Sequence, residues 1–164
     1  LKVLMSDTDS LIYEIQTHDL YADMKSFKQH LDLSDYDKTN PLYDVTNKKV
    51  VGKFKDETNG VAIKEFIGLQ SKMYSYITED NETTKKAKGV NKSTVKKCLS
   101  IDDYRTTLFE ATTMQVTQRV IRHKKHEVDS QVMSKRGLSS YDDKSYYLDN
   151  MNARRYGHYK NVSV

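Results

Sequence analysis

Two aspartates one residue apart, Asp7 and Asp9, stand in the stretch Asp7-Thr8-Asp9-Ser10 between the short apolar runs Leu1–Met5 and Leu11–Ile15. Residues i and i+2 of an extended chain point to the same side, so both carboxylates can face one cation. Mg²⁺ suits such a site, because it takes one or two protein carboxylates and completes its shell with water and substrate phosphates. Spacing alone does not separate this from ordinary turn chemistry, since aspartate is common in turns for local hydrogen-bonding reasons. A second pair, Lys72 and Tyr74, falls at the same i and i+2 spacing in Lys72-Met73-Tyr74. On a strand face, the ammonium can reach a phosphate and the phenol can pack on sugar or base edges. An ordinary half-exposed strand reads the same way. Third, Lys85, Lys86 and Lys88 run up to Gly89. Alternating lysines ending at a glycine fit a strand end that approaches a phosphate backbone, and equally a lysine-protected sheet edge.

The elements that must position these groups follow from periodicity. Leu11, Tyr13 and Ile15 alternate with Ile12 and Glu14, so the first two runs predict a hairpin with Asp7-Thr8-Asp9-Ser10 at its tip. Thr17 reads as an N-cap with Asp19 in the first turn, and Leu20, Met24, Phe27 and Leu31 predict a helix over 18–31. Residues 32–47 read as a loop. Val50–Phe54 and Val61–Leu69 read as strands, joined by a hairpin turn at Asn59-Gly60. A third strand carries Lys72, Tyr74 and Tyr76 on one face, and a fourth ends near Lys88-Gly89. Ser100 with Asp103 resembles a capping box that opens a helix through Tyr104 and Phe109. Met114–Val120 and Glu127–Met133 predict a further hairpin around Arg122-His123-Lys124-Lys125-His126. The expected fold is α+β: an antiparallel sheet with a flanking helix over 1–89, then a small mixed subdomain over 90–164.

Charge is unevenly spread. Residues 1–45 carry four basic and nine acidic side chains, whereas 85–125 carry eleven basic and three acidic ones. An acidic end beside a basic middle suits a metal site next to a polyanion track, although two solvated faces of opposite sign would look alike. Cys98 is the only cysteine, so no disulfide framework forms within the chain and a reducing intracellular setting is expected. It also lacks a partner at zinc-ligand spacing. No apolar run approaches the roughly 20 residues that span a membrane, and no membrane partner is expected. The start lacks a methionine, and the chain reads as cut from something longer. His123 and His126 read as structural or DNA-facing groups, and Asp102-Asp103 and Asp142-Asp143 as a helix start and a loop.

Ser6-Asp7-Thr8-Asp9-Ser10-Leu11-Ile12-Tyr13-Glu14 closely resembles the Asp-Thr-Asp-Ser hairpin in the palm of family B DNA polymerases. Lys72 and Tyr74 are similar, in order and separation, to that family's Lys-x-Tyr motif, which binds primer–template DNA. The stretches 53–60, 64–69 and 140–144, with the terminal Tyr156-Gly157-His158-Tyr159, resemble the protein-primed branch found in Polinton/Maverick elements and related viruses. Met5 stands where the family usually has tyrosine, and Arg154-Arg155 are less apolar than its usual pattern.

The resemblance implies a palm over 1–89 and a thumb and tail over 90–164. It implies that Asp9 is a direct ligand of two catalytic Mg²⁺ ions and that Asp7 supports it. It implies DNA contacts from Lys72, Tyr74, Lys85, Lys86 and Lys88. The partners implied are primer–template DNA, deoxynucleoside triphosphates and a terminal priming protein, at a nuclear or viral replication site. An upstream palm aspartate, a lysine-rich finger motif and an exonuclease domain have no counterpart in these 164 residues, so the chain by itself is expected to be inactive. Two rivals stand beside this reading. One is a remnant that binds DNA without catalysis. The other is a haloacid-dehalogenase-like phosphatase with Asp7 as nucleophile and Asp9 as general acid, a family that continues with a loop and helix where Ser10 here leads into a strand-like run.

Overall fold

The computed structural model describes residues 1–148 and 153–158. The fold is α+β. Strands β1 (Lys2–Asp7) and β2 (Ser10–Glu14) form the predicted hairpin. Its two-residue turn is Thr8-Asp9, Asp7 pairs with Ser10, and a bulge lies between Val3 and Met5. Strand β3 (Leu31–Asp32) pairs in parallel with β4 (Phe54–Lys55). Strands β5 (Ile63–Gln70), β6 (Met73–Thr78) and β7 (Thr83–Ala87) make a three-stranded sheet in that order. Strands β8 (Thr113–Lys124) and β9 (Glu127–Ser139) make a long antiparallel ribbon. A short pair, β10 (Ser145–Tyr147) and β11 (Ala153–Arg155), follows. Residues 1–66 and 76–84 form one compact unit, and 67–75 with 85–164 form a second.

Several local expectations give way to better-satisfied backbone. The expected helix over 18–31 is shorter: α1 spans Leu20–Ser26, a 3-10 turn covers Lys28–His30, and Leu31 already belongs to β3. Its N-cap is Asp19, not Thr17, because the Asp19 carboxylate accepts from the amides of Tyr21 and Ala22, both at 3.0 Å. Thr17 instead donates to Asp23. The expected 50–54/61–69 hairpin does not form. Asn59 and Gly60 do take positive φ, +52° and +90°, but the carboxylate of Asp56 gathers the loop. It accepts from the Thr58 amide at 2.9 Å, the Gly60 amide at 2.8 Å and the Tyr36 hydroxyl at 2.6 Å. Helix α2 (Lys92–Cys98) went unpredicted, because only Val95 of its seven residues is buried and the hydrophobic period is too short to show.

The first unit has a small core of Leu33, Tyr36 and Leu42, with Met24, Leu31 and Tyr43 around it. Much of the surrounding loop is built by one device. In Asp37-Lys38-Thr39, Asp44-Val45-Thr46 and Asp56-Glu57-Thr58, the carboxylate accepts from both the amide and the hydroxyl of the threonine two residues on. The second unit has the larger core: Ile67, Met73, Ala87, Val95, Leu99, Tyr104, Val116 and Leu138. Helix α3 (Ile101–Phe109) opens with the predicted capping box of Ser100 and Asp103. Tyr104 is fully buried, and its hydroxyl donates to the Lys86 carbonyl at 2.9 Å. Gly137 permits the close approach of β8 and β9, since a Cβ there would lie 2.6 Å from a methyl of Val116.

Candidate functional site

Asp7 is the last residue of β1 and half-exposed, whereas Asp9 is exposed in the turn. Thr8 between them has φ +60°, so 7–9 is not extended chain and the expected same-side placement of the two carboxylates does not hold by strand geometry. The Thr8 hydroxyl donates to an Asp7 carboxylate oxygen at 3.3 Å. A β-branched residue in the left-handed region is sterically costly and keeps the turn tight. Two accessible carboxylates on a tight turn are hard oxygen donors of the kind Mg²⁺ accepts, and the donor set fits one side of a cage. Among the described residues, no group of three or more His, Cys, Asp or Glu side chains can hold a metal ion.

Lys72 lies outside the strand on which spacing placed it. Ser71 and Lys72 are the turn between β5 and β6, and Lys72 has φ +61°. The register expected for β6 itself holds. Met73 and Ser75 are buried, and Tyr74 and Tyr76 are half-exposed on the opposite face. The pair thus consists of a turn lysine followed by the first outward tyrosine of β6.

The basic track is divided by its partners. The Lys85 ammonium donates to the carbonyls of Lys96, at 3.4 Å, and Leu99. It thereby satisfies the C-terminal end of α2, where a cation is favourable. Lys86 and Lys88 are exposed. Beyond them Gly89 has φ +79°, and the Lys135 side chain of β9 lies against it: a Cβ on Gly89 would be 2.6 Å from the Lys135 ammonium nitrogen. The buried side chain of Gln118 holds this turn, accepting from the Asn91 amide at 2.7 Å and donating to the Gly89 carbonyl at 3.4 Å. Asn91 Nδ2 donates to the Arg119 carbonyl at 2.8 Å.

The β8–β9 ribbon closes on Lys125-His126, both at positive φ (+50° and +66°), the signs of a type I′ turn. His123 and His126 stack edge to face with ring centroids 6.0 Å apart. The two ribbon faces differ. On one, Arg122 lies opposite Asp129 and Lys124 opposite Glu127, so charges are matched. On the other, Arg119 lies opposite Val132, Ile121 opposite Ser130 and His123 opposite Val128, with no acidic residue. By formal charge, the first compact unit holds nine basic and fifteen acidic residues, net −6, and the second eighteen and eight, net +10.

Toward the chain end, Asp142 is buried, and its carboxylate accepts from the Lys144 amide, Ser145 and Arg155. Burial opposes its ionisation. The Lys144 amide and the Arg155 guanidinium outweigh that, and the carboxyl stays below the usual range. Tyr146 and Tyr156 pack with ring centroids 4.5 Å apart. Tyr159, the last residue of the terminal motif, lies outside the described residues. No helix among the described residues is long and apolar enough to cross a membrane.

Lys135, Gln118 and Asn91 escaped sequence reading, since they lie 29 or more positions from Gly89 or in a polar context with no motif; only the glycine after alternating lysines marked the place. In comparisons with known proteins, no family model, no curated protein and no solved structure matches the chain.

Proposed function

We propose that this chain forms the C-terminal palm and thumb portion of a family B, protein-primed DNA polymerase. It supplies one side of a two-metal nucleotidyl-transfer site and much of the grip on primer–template DNA. The observation that carries the reading is the β1–β2 hairpin, with Asp7 at a strand end and Asp9 in a two-residue turn. Two bound Mg²⁺ ions would lower the charge barrier to attack of a primer hydroxyl on the α-phosphate of a deoxynucleoside triphosphate, in which a phosphodiester forms, pyrophosphate leaves and the hydroxyl proton passes to solvent. Asp9 would hold them and Asp7 would support Asp9. A second aspartate must come from outside these residues. Apolar groups on the hairpin, among them Val3 at 50% exposed and Leu11 at 38%, fit strands that further palm structure covers. Lys72 and Tyr74 would contact the duplex. The net charge of +10 on the second unit suits a phosphate backbone read without regard to sequence.

Primer extension tests this directly. The purified chain should extend no primer. Joined to a polypeptide that carries the upstream palm and finger motifs, it should do so with Mg²⁺ and lose the activity in Asp9→Asn, with DNA affinity retained. Extension by the isolated chain, or an active Asp9→Asn, overturns the reading. DNA binding without catalysis is the second reading, favoured by the charge of the second unit. It predicts that no such joined polypeptide is active while Lys72→Ala and Tyr74→Ala still weaken binding. The phosphatase reading predicts phosphomonoester turnover that vanishes in Asp7→Asn. The direct passage from turn to paired β2 favours the polymerase over it.

A further inference from the structure

We infer that Gly89 and Lys135, aligned by Gln118, form a backbone-phosphate site on nucleic acid, separate from the Lys72–Tyr74 pair. The inference rests on the nucleic-acid reading above and adds residues to it. Three observations converge. Gly89 has φ +79° and no side chain, and the space that a Cβ would fill holds the tip of Lys135, 2.6 Å from that position to the ammonium nitrogen. The ammonium thus lies over bare backbone, where an anion can be met without a side chain in the way. Second, Gln118 is 5% exposed, buried with Val116 in a strand whose other residues are exposed or half-exposed, and it spends both ends of its amide on this turn. A buried polar side chain committed to a surface turn fixes that turn's position. Third, Lys86 and Lys88 flank the site, exposed and with no acidic residue between Thr83 and Ile101. Lys85, by contrast, is engaged on the carbonyls of Lys96 and Leu99.

The ligand class is a phosphodiester, and the other source of the same chemistry is free phosphate. Gln118 is a positioning residue, whereas Lys135 would touch the ligand. The test uses the whole chain, a labelled DNA duplex and anisotropy across a salt series, with thermal melting of every variant. One phosphate contact contributes about 0.9 to the log–log salt slope and roughly eightfold in affinity near 0.1 M salt. Lys135→Gln should lose about that much of each. Gly89→Ala should do the same, because the methyl displaces the ammonium. In the double variant the second change should add nothing to the first. Lys124→Gln, on the charge-matched ribbon face, should leave the slope unaltered. If Lys72→Ala weakens binding but Lys135→Gln leaves affinity and slope at wild-type values, this site is refuted while the nucleic-acid reading stands. If the chain binds no duplex at all, both fall. If inorganic phosphate broadens its ³¹P signal in a Lys135-dependent way while duplex binding ignores Lys135, the site takes free phosphate only and the assignment to nucleic acid is overturned.

Discussion

At the scale of single residues, Asp56 does more for the structure than either motif aspartate. Burial opposes its ionisation, but hydrogen bonds from Tyr36, Thr58 and Gly60 prevail and hold the carboxyl below the usual carboxylate range. The same contact, with burial foremost, pushes the Tyr36 phenol up. Replacing Asp56 with alanine leaves a buried hydroxyl without its acceptor, so Asp56→Ala should cost about 2–3 kcal/mol in urea unfolding. A carboxyl depressed in the folded state stabilises above its unfolded pKa of about 3.9, and that contribution is lost as pH falls through this value toward the folded one. Acid titration of the fold should therefore show a loss starting near pH 4 that is shallower in Asp56→Asn. Lys85 makes a contrasting case. Placed by sequence on the DNA track, it holds the end of α2. Lys85→Gln should lower stability by about 1 kcal/mol and leave the salt slope of DNA binding unaltered, whereas Lys86→Gln and Lys88→Gln should do the reverse.

At the scale of elements, the hairpin turns store strain that their sequences do not relieve. Lys125 and His126 occupy left-handed backbone where Asn-Gly would be favoured. Lys125→Asn with His126→Gly should stabilise the ribbon by about 1 kcal/mol, read as a higher melting temperature. Gly137→Ala should act the other way, costing about 1–3 kcal/mol, because its Cβ meets a buried Val116. Elements with strong period or chemistry were legible in sequence: the β1–β2 hairpin, the Ser100–Asp103 cap, and the β8–β9 ribbon from its alternation. The elements that misled were those in which a side chain captured the backbone. Asn59-Gly60 turns as expected, but Asp56 and Tyr36 direct the chain away from a hairpin.

At the scale of the molecule, charge is partitioned: net −6 in the unit that bears Asp7 and Asp9, net +10 in the unit that bears Lys72, Tyr74, Gly89 and Lys135. Polyanion binding should therefore follow the second unit. Charge-removing substitutions at Lys86, Lys88 and Lys135 should shift duplex affinity, whereas the same change at Lys25 or Lys48 should not. Sequence by itself determined the aspartate turn, the lysine–tyrosine pair and the rise in positive charge, because these depend on residue type and short spacing. Only the tertiary structure decided which lysines face solvent and which cap a helix, that left-handed backbone at Thr8 and Lys72 breaks the simple i, i+2 geometry, and that Lys135 meets Gly89 from 46 residues away. Those outcomes depend on how buried polar groups find partners across the fold, which no local pattern records.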